Sequence, residues 1–386
     1  MSQDSCPVYR KCGGCQLQNM DYQKQLQWKQ RRCEQLLGGF AKVRPILGME
    51  TPYHYRNKVQ AAFAWDKRGG RIISGVYQSG THWVVPVDNC LTEDETADRI
   101  IVSIRGLLKD FKLRPYDEDT GRGLLRHVLV RRGFQSGEIL VALVTGTPVF
   151  TARKHFTEAL LRLHPEITTV VQNVNGGHTS MVLGTQEKIL YGPGFITDVL
   201  CGCKFRISAS SFYQINPAQT EVLYGRAMEL AGLTGKESVL DAYCGIGTIG
   251  IIAAKRGAGK VLGVELNRAA VQDAIVNARE NQIKNAFFTC ADAGEFMEAA
   301  ALEREAFDLV FMDPPRAGAS REFLTALCSL APKRVIYISC NPETLARDLQ
   351  FLRQNHYKAE TIQPVDMFPH TRHIETVCLL SRPRTH

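Results

Sequence analysis

From about Phe205 onward the chain repeats one unit, a short β-rich run followed by a helical or loop stretch. SVLDAY, KVLGVE, AFFTCA, FDLVFMD and RVIYIS are five such runs. Strands separated by helical crossovers cannot be hairpin partners, so the order demands a mostly parallel sheet covered by helices on both faces. Two further strands, over 361–365 and 376–380, have no long helix between them and predict an antiparallel hairpin at the C-terminal end. The reading for 206–386 is an α/β, doubly wound, Rossmann-like module whose ligands sit at the carboxyl ends of its strands.

Residues 1–205 follow a different pattern. Alternation at Val59, Ala61, Phe63 and Trp65, then Gly69-Gly70, then an apolar run over 72–77 predicts a β-hairpin. The sheet continues over 83–87, and Thr92 with Glu95 reads as a capping box for a helix through Ile101, Ile104, Leu108 and Phe111. Strands over 127–131, 139–144 and 168–174 and a helix over 156–163 complete an α+β module with a mainly antiparallel sheet. Ahead of it, 20–37 reads as an amphipathic helix with Tyr22, Leu26, Cys33 and Leu37 on its apolar face and Lys, Arg and Gln opposite.

Charge separates the two parts. Residues 1–205 carry 27 Lys+Arg against 19 Asp+Glu and the remainder 20 against 20, so the whole excess of +8 lies in the first part. A basic front beside a neutral back suggests that one module holds a polyanion and the other does chemistry. Arg56, Lys58, Arg126, Arg131 and Arg132 are either phosphate contacts or an ordinary solvated face. No apolar run reaches the roughly 18 residues of a membrane span, and the N-terminus lacks a signal peptide's apolar stretch. A cytoplasmic chain with no membrane partner is expected, in which the 12 Cys are thiols, ligands or catalytic groups.

VLDAYCGIGTIG runs a strand into Gly245, Gly247 and Gly250 ahead of a helix, the arrangement that lets a ligand approach the backbone and the helix N-terminus. Asp241 precedes the glycines, where it can hold an amine, and Glu265 ends the next strand, where a carboxylate can accept both ribose hydroxyls. An amino acid joined to a nucleoside, as in S-adenosylmethionine, suits this better than a dinucleotide. FMDPPRAG places Asp313 at another strand end, and Arg316 stands where enzymes that methylate exocyclic amines carry an aromatic residue. ISCNPETL puts Cys340 just before Asn341 as N-cap and Pro342 as first helical residue, a position where the helix dipole favours a thiolate. FPHTRHIE brings His370, His373 and Glu375 together as a metal set, a carboxylate base held by imidazoles, or a strand-end salt bridge.

Cys6, Cys12 and Cys15 are too tightly spaced to be core filler, and a metal or iron–sulfur site follows, with zinc equally suited to four thiolates. Cys90 is the available fourth ligand, with Cys201 and Cys203 as rivals, while Cys33, Cys290, Cys328 and Cys378 read as core.

C-x5-C-x2-C, SFYQIN, DAYCGIGTIG, DPPRAG, SCNP and FPHTRHIE, in this order and over essentially the whole chain, resemble the RNA 5-methyluridine methyltransferase family. The resemblance implies a [4Fe–4S] cluster on Cys6, Cys12, Cys15 and Cys90, and contacts to S-adenosylmethionine from Gln214, Tyr243, Glu265, Asp292 and Asp313. It also implies a nucleophilic Cys340 and a basic Glu375 acting on C5 of a uridine flipped out of its RNA. The cluster resembles the branch that acts on 23S rRNA, and the alternatives are a tRNA enzyme or a non-catalytic iron–sulfur RNA-binding protein. Because the chain begins five residues before Cys6, the small RNA-binding barrel of some ribosomal members is expected to be absent. A monomer is expected, with an RNA-binding module over 1–205 and a catalytic one over 206–386, the helix near 18–45 packing on the latter.

Overall fold

The structure is a computed structural model that describes residues 6–177 and 179–383. Its second half holds a seven-stranded sheet in the spatial order Ala286–Cys290, Lys260–Glu265, Ser238–Ala242, Leu309–Met312, Arg334–Ser339, Glu375–Ser381, Lys358–Val365. The first five of these strands are parallel. The last two form an antiparallel hairpin, and Glu375–Ser381 also runs antiparallel to Arg334–Ser339.

Strand order reverses between Ser238–Ala242 and Leu309–Met312, which opens a crevice beyond their carboxyl ends. Helices pack both faces. Pro217–Ala231 and Thr248–Lys255 cover one through residues such as Leu223, Ala227, Ile251 and Ile252. Ala293–Leu302, Arg321–Leu330 and Pro342–Gln354 cover the other through Met297, Leu327 and Leu349.

The first half holds a second seven-stranded sheet, Val84–Pro86, Arg71–Tyr77, Lys58–Asp66, Leu125–Arg132, Ile139–Thr145, Ile167–Val174, Gln186–Tyr191, in which only Ile139–Thr145 and Ile167–Val174 pair in parallel. Helices Glu95–Asp110 and Arg153–Leu163 fill one face with Ile100, Ile104, Phe156 and Leu160. The expected capping box is not used. Asp94, not Thr92, caps Glu95–Asp110 by accepting from the Thr96 and Ala97 amides, because it stands immediately before the first helical residue with extended backbone, whereas Thr92 lies two residues further out.

The two halves share a core. Leu129, Leu140 and Val171 of the first sheet pack with Leu200, Cys203 and Phe205 of the hairpin Ile196–Leu200/Cys203–Ile207 and with Val239 and Ile252 of the second module. The boundary read near Phe205 falls inside this hairpin, whose two strands carry no glycine-bounded alternation long enough to announce them.

The helix Tyr22–Leu37 lies beside Pro342–Gln354 and Lys358–Val365 of the second half. The segment after it bridges the sheet edge, with Arg44 N–H donating to Ile362 O and Leu47 N–H to Pro364 O. Its buried stripe is Gln25, Lys29, Cys33 and Leu37, so Lys29 does not belong to the solvated face that the pattern suggests. Lys29 is fully buried, 2.5 Å from Asp366 Oδ1, and also donates to Phe368 O; Tyr22 Oη donates to the other Asp366 oxygen.

Candidate active site

The crevice gathers acids that lack counter-charges. Asp241 ends its strand fully buried, where Oδ2 accepts from Gly250 N–H at 2.7 Å and Oδ1 has no partner among the described residues. Gly250 is required there, since a Cβ would stand 2.9 Å from that carboxylate oxygen. Burial, with lesser pushes from Asp313 and Glu265, raises Asp241 to about 8.

Glu265 is held open by the backbone, accepting from Gly245 N–H and Asn267 N–H. Between the two strands the loop turns through left-handed Tyr243, Gly245 and Gly247, and helix Thr248–Lys255 starts with no side-chain cap, leaving first-turn amides for a ligand. The Tyr243 ring stacks on Phe323 at 4.9 Å. Asp292 caps helix Ala293–Leu302 through Oδ1, and its charge helps to hold the Tyr243 hydroxyl protonated, after burial.

Gln214 reaches the same crevice from the SFYQIN loop, where it bonds the hydroxyl of buried Tyr224, which also faces Thr248 and Asp313. Tyr224 escaped the sequence reading because it lies mid-helix in an apolar stripe, indistinguishable by spacing from core. Asp313 is the common neighbour. Burial raises it to about 7, and its charge bears on Asp241, Tyr224, Cys340 and Glu375.

Cys340 and Glu375 meet through register. Ser339 pairs with Thr376 across the antiparallel strands, so the next residue outward on each side, Cys340 and Glu375, stand opposite at the strand ends. Asn341 caps the following helix with Pro342 as its first residue, as the sequence predicts. The helix dipole does not set the thiol's state, however. Burial first, then Glu375 and Asp313, raise Cys340 to about 11, against the lowering effects of its own backbone and Arg316. Glu375 is buried and, pressed further by Asp313, is held well above the usual carboxylate range.

Over Cys340 lies a cavity of about 520 Å³ lined by Arg316, Asn341, Glu343, Arg372 and His373, with Gln16, Trp28 and Arg32 contributed by the N-terminal segment. His370 does not join it. Its ring bonds the Gln25 amide at 3.1 Å and the Pro52 carbonyl at 3.0 Å, and it stacks against Tyr53. With His370 committed to the N-terminal helix, H-x-x-H-x-E is not a ligand set, and only His373 stands near Cys340.

The basic strands also differ from both expectations. Arg126 is buried, paired to Glu118 at 2.7 Å and bonded to the Asn175, Gly177 and Thr179 carbonyls. Arg131 is buried on the Ala209 and Ser211 carbonyls, and Arg132 pairs with Asp94 at 2.8 Å. Lys58, lowered to about 8 by burial and Arg131, is half-buried. Arg126 and Arg131 are thus buried on loop carbonyls that would otherwise lack donors, whereas Arg132 stays partly exposed beside Asp94.

The N-terminal cysteines approach one another. Cys6 and Cys12 both press on the Cys15 thiol, and Thr92 bonds Cys15 and stands 3.4 Å from Cys90 Sγ. The donors are thiols, the kind a soft metal takes, but among the described residues no three His, Cys, Asp or Glu side chains converge as a metal site. Cys203 is buried in the hairpin core and Cys201 lies on its turn, so neither is the fourth thiol beside Thr92.

A reversed parallel sheet with a glycine loop and carboxylates at its strand ends is the fold of an S-adenosylmethionine-dependent methyltransferase. The chain belongs to the family described as tRNA (Uracil-5-)-methyltransferase, which matches residues 21–383, and it is an RNA methyltransferase of that kind. It is 43% identical over 380 residues to an uncharacterized RNA methyltransferase of Halalkalibacterium halodurans, covering 97% of this chain and 82% of the relative. A Bacillus cereus relative of the same description is 42% identical over 382 residues, covering 98% and 82%. Among solved structures, the Pyrococcus abyssi tRNA (uracil-54, C5)-methyltransferase in complex with S-adenosyl-L-homocysteine superposes with a TM-score of 0.79 at 28% identity, covering 98% of this chain and 87% of that one. No helix among the described residues is long and apolar enough to cross a membrane.

Proposed function

We propose that the protein methylates C5 of a uridine in 23S rRNA, with Cys340 as nucleophile and Glu375 as base. The observation that carries this is the opposition of Cys340 and Glu375 across the paired strands, beside Asp313. C5 of uracil is too weak a nucleophile to take a methyl group unaided. Addition of the Cys340 sulfur to C6 places negative charge on C5 and O4. S-adenosylmethionine, when bound, supplies the electrophilic methyl group. Glu375 then removes the C5 proton, and elimination of the thiolate restores the ring's double bond.

Burial and the neighbouring acids favour the protonated forms of Cys340 and Glu375, and a cation drawn in by the crevice acids would favour the thiolate and the carboxylate that addition and proton removal require. Asp241 would receive the amine, Glu265 the ribose, Asp292 the adenine edge, and Gln214, Tyr243 and Asp313 the remainder of that ligand. A uridine must leave its stack for a ring face to reach a half-buried thiol, as in other enzymes that act on a base.

Cys6, Cys12, Cys15 and Cys90 would hold a [4Fe–4S] cluster, supported by the grouping of these thiols around Thr92. Anaerobically purified protein should then contain about four irons per chain, and stoichiometric zinc without iron overturns the assignment. Substrate is tested by incubating the protein with methyl-labelled S-adenosylmethionine and either 23S rRNA or total tRNA, then digesting to nucleosides. Label in 5-methyluridine from 23S rRNA is expected. Label from tRNA alone makes it a tRNA enzyme, and no transfer to any RNA makes it a binding protein.

A further inference from the structure

The wall of the cavity opposite the catalytic strands comes from the N-terminal helix. Trp28 and Arg32 stand four residues apart on one edge of Tyr22–Leu37, and both line the cavity that contains Cys340. The helix cannot slide, since Lys29, between them in sequence, is buried on Asp366 and Arg32 reaches Glu343 at 2.6 Å.

Trp28 is the chain's one indole turned toward the reaction. Among the described residues no aromatic ring stacks on it and no cation lies over it, whereas Trp65 has the Arg114 guanidinium above its ring and Trp83 is 74% exposed on the first sheet. An apolar plane left unpartnered in a cavity also lined by Arg316, Arg372, His373 and Asn341, with Glu343 paired to Arg32, matches the two halves of a nucleotide, a flat base and an anionic backbone. At about 520 Å³ the cavity lies within the size range that encloses whole small-molecule ligands, and a single pyrimidine ring over Cys340 leaves room in it.

We propose that Trp28 is the stacking platform for an unpaired nucleobase directly next to the target uridine, which makes the N-terminal helix a wall of the RNA site. This rests on the reaction proposed above. Stacking is indifferent to which base is present, so Trp28 fixes the local RNA shape and not its sequence.

Trp65→Phe with Trp83→Phe leaves Trp28 as the sole fluorescent indole of the three tryptophans. The probe is the RNA fragment that accepts label in the transfer assay, together with copies carrying an abasic ribose one position 5′ or one position 3′ of the methylated uridine. The intact fragment should quench Trp28, and one of the abasic copies should lose most of the quench and bind about tenfold more weakly. Trp28→Ala should weaken RNA binding to the same extent, and Trp28→Phe should restore it. Full quenching by both abasic copies, or wild-type affinity in Trp28→Ala, overturns the proposal. Methyl transfer with an unquenched Trp28 overturns this subsite alone, whereas failure to methylate any RNA overturns the proposed reaction and the subsite with it.

Discussion

The crevice and the first sheet both bury charge, and they treat it in opposite ways. In the first sheet Arg126 spends its donors on loop carbonyls and on Glu118, and Arg131 gives one terminal nitrogen to the Ala209 and Ser211 carbonyls while its Nε has no partner among the described residues. In the crevice Asp241 keeps an oxygen with no partner, and Asp313 and Glu375 repel each other with no cation between them. A buried polar group costs stability unless it is paired. The Arg126 cluster, with its acid and its carbonyls, is therefore architecture, whereas the crevice carboxylates stand uncompensated. The net charge of the first part is a poor guide to its partner for the same reason, since its most central arginines are already occupied.

The comparison breaks most visibly at Cys340 and Glu375. Cys340→Ala should bind S-adenosylmethionine and RNA but yield neither adduct nor product. Glu375→Gln should add to C6 and accept the methyl group, then stall for want of a base, leaving a slow-migrating protein–RNA band on a denaturing gel that carries the methyl label. Normal turnover by Glu375→Gln would move the base to His373, the imidazole that shares the cavity.

The next effect is on folding. Lys29→Ala strands the buried Asp366 carboxylate, at a cost of about 3–5 kcal/mol in urea denaturation. Arg32→Ala, on the exposed side of the same helix, should cost less than about 1 kcal/mol because its pair with Glu343 is solvated. Equal losses would mean that the buried pair does not anchor the helix.

Arg131→Ala should destabilise by about 1–3 kcal/mol for each carbonyl left unpaired, with no change in the dependence of RNA affinity on salt. A shallower salt slope in this variant would return Arg131 to the phosphates.

The smallest effect is titration. Asp241 and Asp313 are raised to about 8 and about 7, so the stability they contribute is complete below the ordinary carboxylate range and is lost as pH rises through those values. The Tm of the ligand-free protein should fall from about pH 4 to about pH 8. A bound cation reverses that penalty, so S-adenosylmethionine should bind more tightly, and raise Tm more, at the alkaline end. Asp241→Asn should flatten this dependence and weaken binding about tenfold above pH 8. Affinity that is flat with pH in the unaltered protein would show that the acids do not meet the ligand's positive charge.

Much of the crevice could be read residue by residue because local rules govern it. Asp241, Glu265, Asp313 and Cys340 each end a strand of the repeating unit, and strand ends of a doubly wound sheet face one crevice whatever lies elsewhere. The Asn341-Pro342 cap is likewise a matter of adjacent residues. Tyr224, Trp28 and Lys29 were out of reach because each lies within a helix, and helical spacing reports which face a residue occupies but not what that face meets. The hairpin Ile196–Ile207 escaped for a related reason, since its Cys201-Gly202 turn carries no strong hairpin signal.

The amino-acid sequence by itself determines the parallel sheet, its glycine loop, the cysteine ahead of a capped helix and the thiols near the N-terminus, because each follows from neighbours along the chain. The tertiary structure alone decides that Cys340 faces Glu375, that His370 holds the N-terminal helix instead of the active site, and that Arg126 and Arg131 brace loops. It also decides the protonation of the site. Cys340, Asp313 and Glu375 are ordinary acids in the unfolded chain, and their burial together raises all three, against the lowering effect of Arg316 on Cys340.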